Sequence, residues 1–311
     1  MLKEFAVDPR VIASSFETCR YLISQFGADK GRLISKFPNK WKRLAFEAAD
    51  KLPDGLQKER IVEYLNSIGN EWLTFATSNR AYLAPGDPWL NNAVLAHAQT
   101  PFQGILCEQD DPQNQLVNAN ECDEANPLFA VNRTRMVSRT ANDLAQAAAL
   151  LLQNCHKLRL VDPYFDPGRP KWWTPLAAIL AFLPNISRVE CEYHLQERGD
   201  SPSTAELIRR LQQLKQVIPE GGTLRIIRWK EKPGGERFHR RYLLTENAGL
   251  YYEGGLDEAT GANQTTDVSL IDRNHHANRW AEYNQDSQVY ELVEPILVVD
   301  STGKVTETKN L

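Results

Sequence analysis

The chain has 311 residues, 42% hydrophobic and 24% charged, which suits a globular protein of two ordinary domains and excludes fibrous and long disordered classes. Its formal net charge of −4 gives no global attraction to nucleic acid or an anionic membrane, so any such binding has to come from a local patch. Five widely spaced cysteines (Cys19, Cys107, Cys122, Cys155, Cys191) form no C-x-x-C pair, which points to free thiols in a reducing cytoplasm.

The first residues, Met1 to Phe5, lack the apolar run of a signal peptide. The most apolar stretch, Pro175 to Leu183, is too short to cross a bilayer, so a cytoplasmic location without membrane insertion is expected. Asp8 followed by Pro9 opens an amphipathic helix that runs to Phe26 and is closed by Gly27. Helical spacing continues over Asn39–Ala49 and Leu56–Ile68, so residues 1–100 are expected to form an all-α N-terminal domain.

Between Pro85 and Asn126 the chain is rich in Pro, Asn, Gln, Asp and Gly, and residues 101–139 read as an irregular linker. Thr140-Ala141-Asn142-Asp143 resembles a capping box that starts a helix through Leu152. From there strands and helices alternate: strand from Leu158, helix over Pro175–Leu183, strand Arg188–His194, helix Ala205–Val217, strand Leu224–Trp229. A hairpin follows over Arg241–Thr245 and Gly249–Tyr252, with strands near Val268–Ile271 and Val289–Val293. Residues 140–311 are therefore expected to be an α/β domain, a mixed sheet flanked by helices.

In a strand, residues two apart share a face, so His239 and Arg241 are expected to project together. Arginine offers a planar fork to phosphate oxygens, and histidine can act as nucleophile, acid or base near neutral pH. Seven basic side chains lie between residues 225 and 241 (Arg225, Arg228, Lys230, Lys232, Arg237, Arg240, Arg241) against two acidic ones, a local net of +5. Interleaved with Trp229, Phe238 and Tyr242, this run suits an anionic polymer or headgroup; its plainer reading is a solvated hairpin rim.

His239-x-Arg241, Glu246 and the turn Gly254-Gly255-Leu256-Asp257 resemble the H-x-K, acid and glycine-turn pattern of the phospholipase D superfamily. They are closest to the phospholipase-D-like C-terminal domain of MIT-domain proteins and bacterial relatives. The resemblance covers Leu158 to Val293 and implies a phospholipase-D-like fold. It also implies His239 as nucleophile, Arg241 on the phosphate, Glu246 orienting them, and Gly254, Gly255 and Asp257 at the phosphate turn. Arg241 and Glu246 keep the charges of the family's lysine and aspartate, whereas Asp257 would repel a phosphate unless an arginine neutralises it or it turns away.

The superfamily's reaction uses two histidines, one attacking phosphorus and one protonating the leaving oxygen. This chain carries one such motif, so a partner histidine would come from a homodimer or from His194. The resemblance therefore leads to a non-catalytic or conditionally catalytic subunit that recognises nucleic acid or another phosphodiester, possessing a protein partner on its N-terminal domain and a place in a bacterial anti-phage complex. The alternatives are a dimeric, metal-independent nuclease using His239, and a structural subunit with no ligand. No cofactor and no metal are expected, although Asp162, Asp166 and Asp257 at strand ends have the ligand type for a metal site that nothing in their spacing demands. Trp172-Trp173 reads as core packing rather than a base-stacking pair, and His275-His276 as part of a polar loop.

Overall fold

The computed structural model describes residues 1–69, 73–84 and 86–308. Two compact units divide the chain, Met1–Arg133 and Thr134–Leu311.

The first unit contains β1 (Lys3–Val7), α1 (Pro9–Ile12), α2 (Phe16–Ser24), β2 (Arg32–Ser35), α3 (Trp41–Ala49), α4 (Leu56–Ser67), β3 (Phe75–Ala76), α5 (Trp89–Gln99), β4 (Gly104–Cys107) and β5 (Leu116–Asn118). Its five strands form a parallel sheet in the order β3-β2-β1-β4-β5. The expected all-α domain is thus corrected to α/β. Phe5-Ala6-Val7 and Leu33-Ile34 are buried on both faces of this sheet, so they show no alternation, and strands of four or five residues are too short to declare a period. One face packs Phe5, Val7, Leu22 and Trp41; the other packs Ala6, Phe37, Trp89 and Ile105. The helix expected from Pro9 to Phe26 is two helices, because the Ser15 hydroxyl accepts the Thr18 N–H at 3.0 Å and starts a second one.

The linker expected over 101–139 is corrected as well: it supplies β4 and β5 to this sheet and, beyond Arg133, an edge strand to the next. Pro85, where the polar stretch begins, lies outside the described residues; Trp89–Gln99 within that stretch is helical.

The second unit contains β6 (Thr134–Ser138), α6 (Ala141–Leu152), β7 (Lys157–Val161), α7 (Pro170–Ala181), β8 (Glu190–Gln196), α8 (Thr204–Leu211), β9 (Thr223–Glu231), β10 (Tyr242–Thr245), β11 (Gly249–Tyr252), β12 (Thr265–Leu270), α9 (Arg273–Glu282), β13 (Tyr290–Asp300) and β14 (Val305–Thr308). The sheet has nine strands in the order β14-β13-β9-β8-β7-β10-β11-β12-β6. Only β7, β8 and β9 pair in parallel, and antiparallel strands extend both flanks. Thr140 caps α6 as its sequence predicts, its hydroxyl accepting the Asp143 N–H at 3.2 Å.

Both crossovers among the parallel strands run in the same direction, which places α7 and α8 on one face. α9 covers the other, where Tyr283 packs with Val161, Ile227, Trp229 and Tyr242. The polar loop expected at His275-His276 is this helix, capped by Asp272 through the His275 N–H at 2.9 Å. All five cysteines are buried free thiols, and burial pushes Cys19 up to about 11 and Cys191 up to about 12. Among the described residues no helix is long and apolar enough to cross a membrane.

Candidate functional site

The sequence places its motif at the start of β10, and the structure separates the parts. Phe238 and Tyr242 point into the core, while His239 is exposed on the irregular segment before the strand. The His239 Nδ1 sits 3.1 Å from the Arg237 carbonyl. Among the described residues no hydrogen bond or ion pair joins His239 to Arg241, Glu246 or a second histidine.

Glu246 lies at the other end of β10, about 16 Å from Arg241 at the rise of an extended strand. Its carboxylate accepts the His156 N–H at 2.8 Å and the Lys157 N–H at 3.0 Å, so it secures the entry to β7. The orienting role assigned to Glu246 is therefore corrected to a structural one.

His194 is fully buried on β8. Its Nδ1 accepts the Trp229 indole N–H at 2.9 Å, and since an indole only donates, Nε2 carries the proton and gives it to Glu192 at 3.3 Å. Burial lowers its pKa and keeps the ring neutral. With both nitrogens engaged, His194 is no partner for His239.

Glu192 also holds Arg159 at 2.9 Å and Arg225 at 3.5 Å. Burial raises its carboxyl, but the His194 bond and the positive charges of Arg159 and Arg225 outweigh this and hold it below the usual carboxylate range.

The +5 run does not form one surface. Arg225 and Arg228 are three apart in β9 and so face opposite sides of the sheet. Arg225 joins Glu192, while buried Arg228 donates to the Thr204 hydroxyl at 3.1 Å and to the carbonyls of Glu294 and Pro295 at 3.3 Å, filling a bulge in β13. Lys232 donates to the Gln288 carbonyl, and Arg240 pairs with Glu236 at 3.7 Å. Lys230 and Arg237 stay exposed.

The glycine turn packs against the end of β7. Gly255 has a φ of +100°, and a Cβ there would lie 3.1 Å from Asp162 Oδ2 and 3.0 Å from Asp257 Oδ1, so the close approach of two carboxylates requires glycine. Gly254 donates to the Thr266 hydroxyl at 2.7 Å. Asp162 is buried and accepts the Tyr164 and Leu256 N–H groups, each at 3.0 Å. Burial pushes its carboxyl up to about 6; those two bonds and the Arg241 charge oppose the shift, and the Asp257 charge adds to it.

Asp257 is neutralised by Arg139 at 2.5 Å and Lys171 at 2.9 Å. The repulsion expected of this carboxylate is thus removed, and the chain's own anion occupies these two cations. Asp166 turns elsewhere, to Arg210 at 3.0 Å and Arg169 at 3.1 Å. Among the described residues no group of three His, Cys, Asp or Glu side chains that could hold a metal ion forms.

A cleft of about 470 Å³ opens beside this turn, at the carboxyl ends of β7 and β8. Open α/β sheets bind ligands at that edge. Tyr164 and Arg169 come to it from the β7–α7 loop, Lys171 from α7, Arg198 from the β8–α8 loop and Arg210 from α8. No side chain caps the N-terminus of the twelve-residue α7, whose partial positive charge adds to these cations. Tyr164 is 46% exposed, and two guanidinium carbons lie over its ring, Arg198 at 4.9 Å and Arg241 at 5.3 Å from its centroid. Trp172 lines the cleft as a buried wall, 6.0 Å edge-on from Phe165, which is the core packing expected of it.

Of the predicted residues, then, the structure gathers Arg241, Gly255 and Asp257 around Asp162, with Gly254 in the same turn, and none of the four lines the cleft. His239 and Glu246 do not join them. Tyr164, Arg198 and Arg210 were missed; the signal available was their position just after buried strands, where α/β sheets place ligands.

No family model matches the chain, and no curated protein does. Among solved structures, one match is TrmBL2, an archaeal chromatin protein whose structure shows a novel mode of DNA binding. It has 15% identity and a TM-score of 0.28 over 54% of this chain and 56% of that one. The match spans little more than half of that protein, and a likeness of this degree carries no argument about fold or function.

Proposed function

We propose that residues 134–311 form a phospholipase-D-like recognition unit that holds a phosphodiester ligand without cutting it. The observation that carries this reading is the cleft at the carboxyl ends of β7 and β8, where four cationic side chains and the uncapped start of α7 surround an exposed tyrosine. Two aspartates share that lining, but Asp166 is already held by Arg169 and Arg210, and Asp200 is an exposed partner of Arg198 at 3.1 Å. Exposed pairs of this kind contribute about 0–1 kcal/mol, so Arg198 can exchange its carboxylate for a phosphate at little cost.

Holding is favoured over cutting by the placement of the chemistry. A phosphoryl-transfer histidine needs a cation on the phosphate and a second proton carrier within hydrogen-bond reach. Among the described residues His239 has only the Arg237 carbonyl within hydrogen-bond reach, and Glu246 serves the backbone at the opposite end of the strand.

Fluorescence anisotropy with labelled single-stranded DNA and RNA, at low and at physiological salt, tests the proposal. Binding that weakens steeply with salt, with the oligonucleotide recovered intact, is the expected result. Absence of binding at low salt would overturn it.

A further inference from the structure

We infer that the cleft takes one nucleoside phosphate, entering end-on, rather than the backbone of a continuous strand. This rests on the phosphodiester reading above and narrows it. A groove that follows single-stranded nucleic acid spans several nucleotides, about 4–16 for one binding domain. The cleft's volume of about 470 Å³ is instead that of a small-molecule site, in the range of roughly 300–1,000 Å³.

Its walls divide the work as such a ligand demands. The β7–α7 loop offers the half-exposed Tyr164, backed by buried Trp172 and Leu207, as the aromatic side chain for a base, with the Arg198 guanidinium 4.9 Å from its ring centroid. Arg169 and Arg198, with side chains 69% and 36% exposed, supply the cations for a phosphate. Arg210 closes one side: it lies against Gly168, where a Cβ would meet its side chain at 3.1 Å, so glycine lets the guanidinium reach across the start of α7. Lys171 lines the same space but is committed to Asp257, which keeps the turn fixed, while Arg169 and Arg198 hold their carboxylates only through exposed pairs.

A nucleoside phosphate can come from the terminus of a strand or from a free nucleotide. The chemistry recognised is shared, and the experiment separates the sources. Adenosine monophosphate, 5′-phosphorylated linear single-stranded DNA and circular single-stranded DNA are each titrated into the full chain and into its Arg198→Ala and Tyr164→Ala variants, with calorimetry as the readout.

Binding of the monophosphate, lost at least tenfold in both variants, with linear DNA bound at least tenfold tighter than circular, assigns the cleft to strand ends. Binding of the monophosphate with linear and circular DNA alike assigns it to a free nucleotide. No monophosphate binding, together with equal affinity for linear and circular DNA, overturns the inference while the phosphodiester reading stands. If no nucleic acid binds at all, both fall. Both substituted side chains are partly exposed on loops, and unchanged thermal unfolding of the variants verifies that only the surface was altered.

Discussion

The Lys171 ammonium donates to the Asp257 carboxylate at 2.9 Å, which fastens the Gly254–Asp257 turn to the first turn of α7. Arg139 holds the other oxygen of the same carboxylate, so this internal anion joins the glycine turn, α7 and the segment before α6. Asp257→Asn keeps the shape and removes the charge. It is expected to cost about 1–3 kcal/mol in urea unfolding, the range for hydrogen bonds to charged groups. Because Lys171 also lines the cleft, its release is expected to tighten oligonucleotide binding several-fold; unchanged affinity would show that Lys171 does not contribute to the ligand's field.

Asp162 predicts an unusual pH dependence. Its carboxyl is pushed up to about 6, above the roughly 3.9 of an unfolded chain. A raised folded value means that the stability linked to this group is fully present below about 4 and is lost as pH rises through 6. Asp162→Ala removes the titrating group and strands the Tyr164 and Leu256 N–H groups. The variant should be destabilised at every pH, and by roughly 2 kcal/mol more at pH 4.5 than at pH 7.5. Unfolding curves at the two values measure this, and a pH-independent difference would contradict it.

Glu192 behaves in the opposite sense. Its carboxyl, held below the usual carboxylate range, contributes stability that is present above the unfolded value and is lost as pH falls through the lowered folded value. Glu192→Ala leaves Arg159 and Arg225 without their shared partner in a largely buried site and is expected to cost about 3–5 kcal/mol. Chemical denaturation reads the effect directly; a loss below about 1 kcal/mol would mean that Arg159 finds sufficient compensation over the Trp280 ring, 3.9 Å away.

These residues show what the sequence made legible. Most central strands and helices of the second unit follow from alternating and helical patterns, and the hairpin of β10 and β11 from its flanking polar turn, whereas β6 reads as linker, α9 as a polar loop, and β14 goes unread. The parallel sheet of the first unit did not, because strands buried on both faces look like short apolar runs within helical text. Arg241, Gly255 and Asp257 are legible as neighbours because a glycine turn and a charged strand start are local signals. Arg198 and Tyr164 are not: they lie on two loops separated in sequence, and only the parallel pairing of β7 with β8 brings them together. The charge count misled for a similar reason. Arg225 and Arg228 contribute to a sum along the chain, but the pleat sends them to opposite faces, where each finds internal partners.

The central claim, that the ligand is held at the cleft and left uncut, is tested most directly by following binding and cleavage of one end-labelled oligonucleotide in the wild-type chain, Arg198→Ala and His239→Asn. The account predicts an intact oligonucleotide in all three, an affinity about tenfold weaker in Arg198→Ala, the loss of one charged contact, and an affinity within about twofold of wild type in His239→Asn. Cleavage by the wild-type chain that disappears in His239→Asn while binding persists would contradict it.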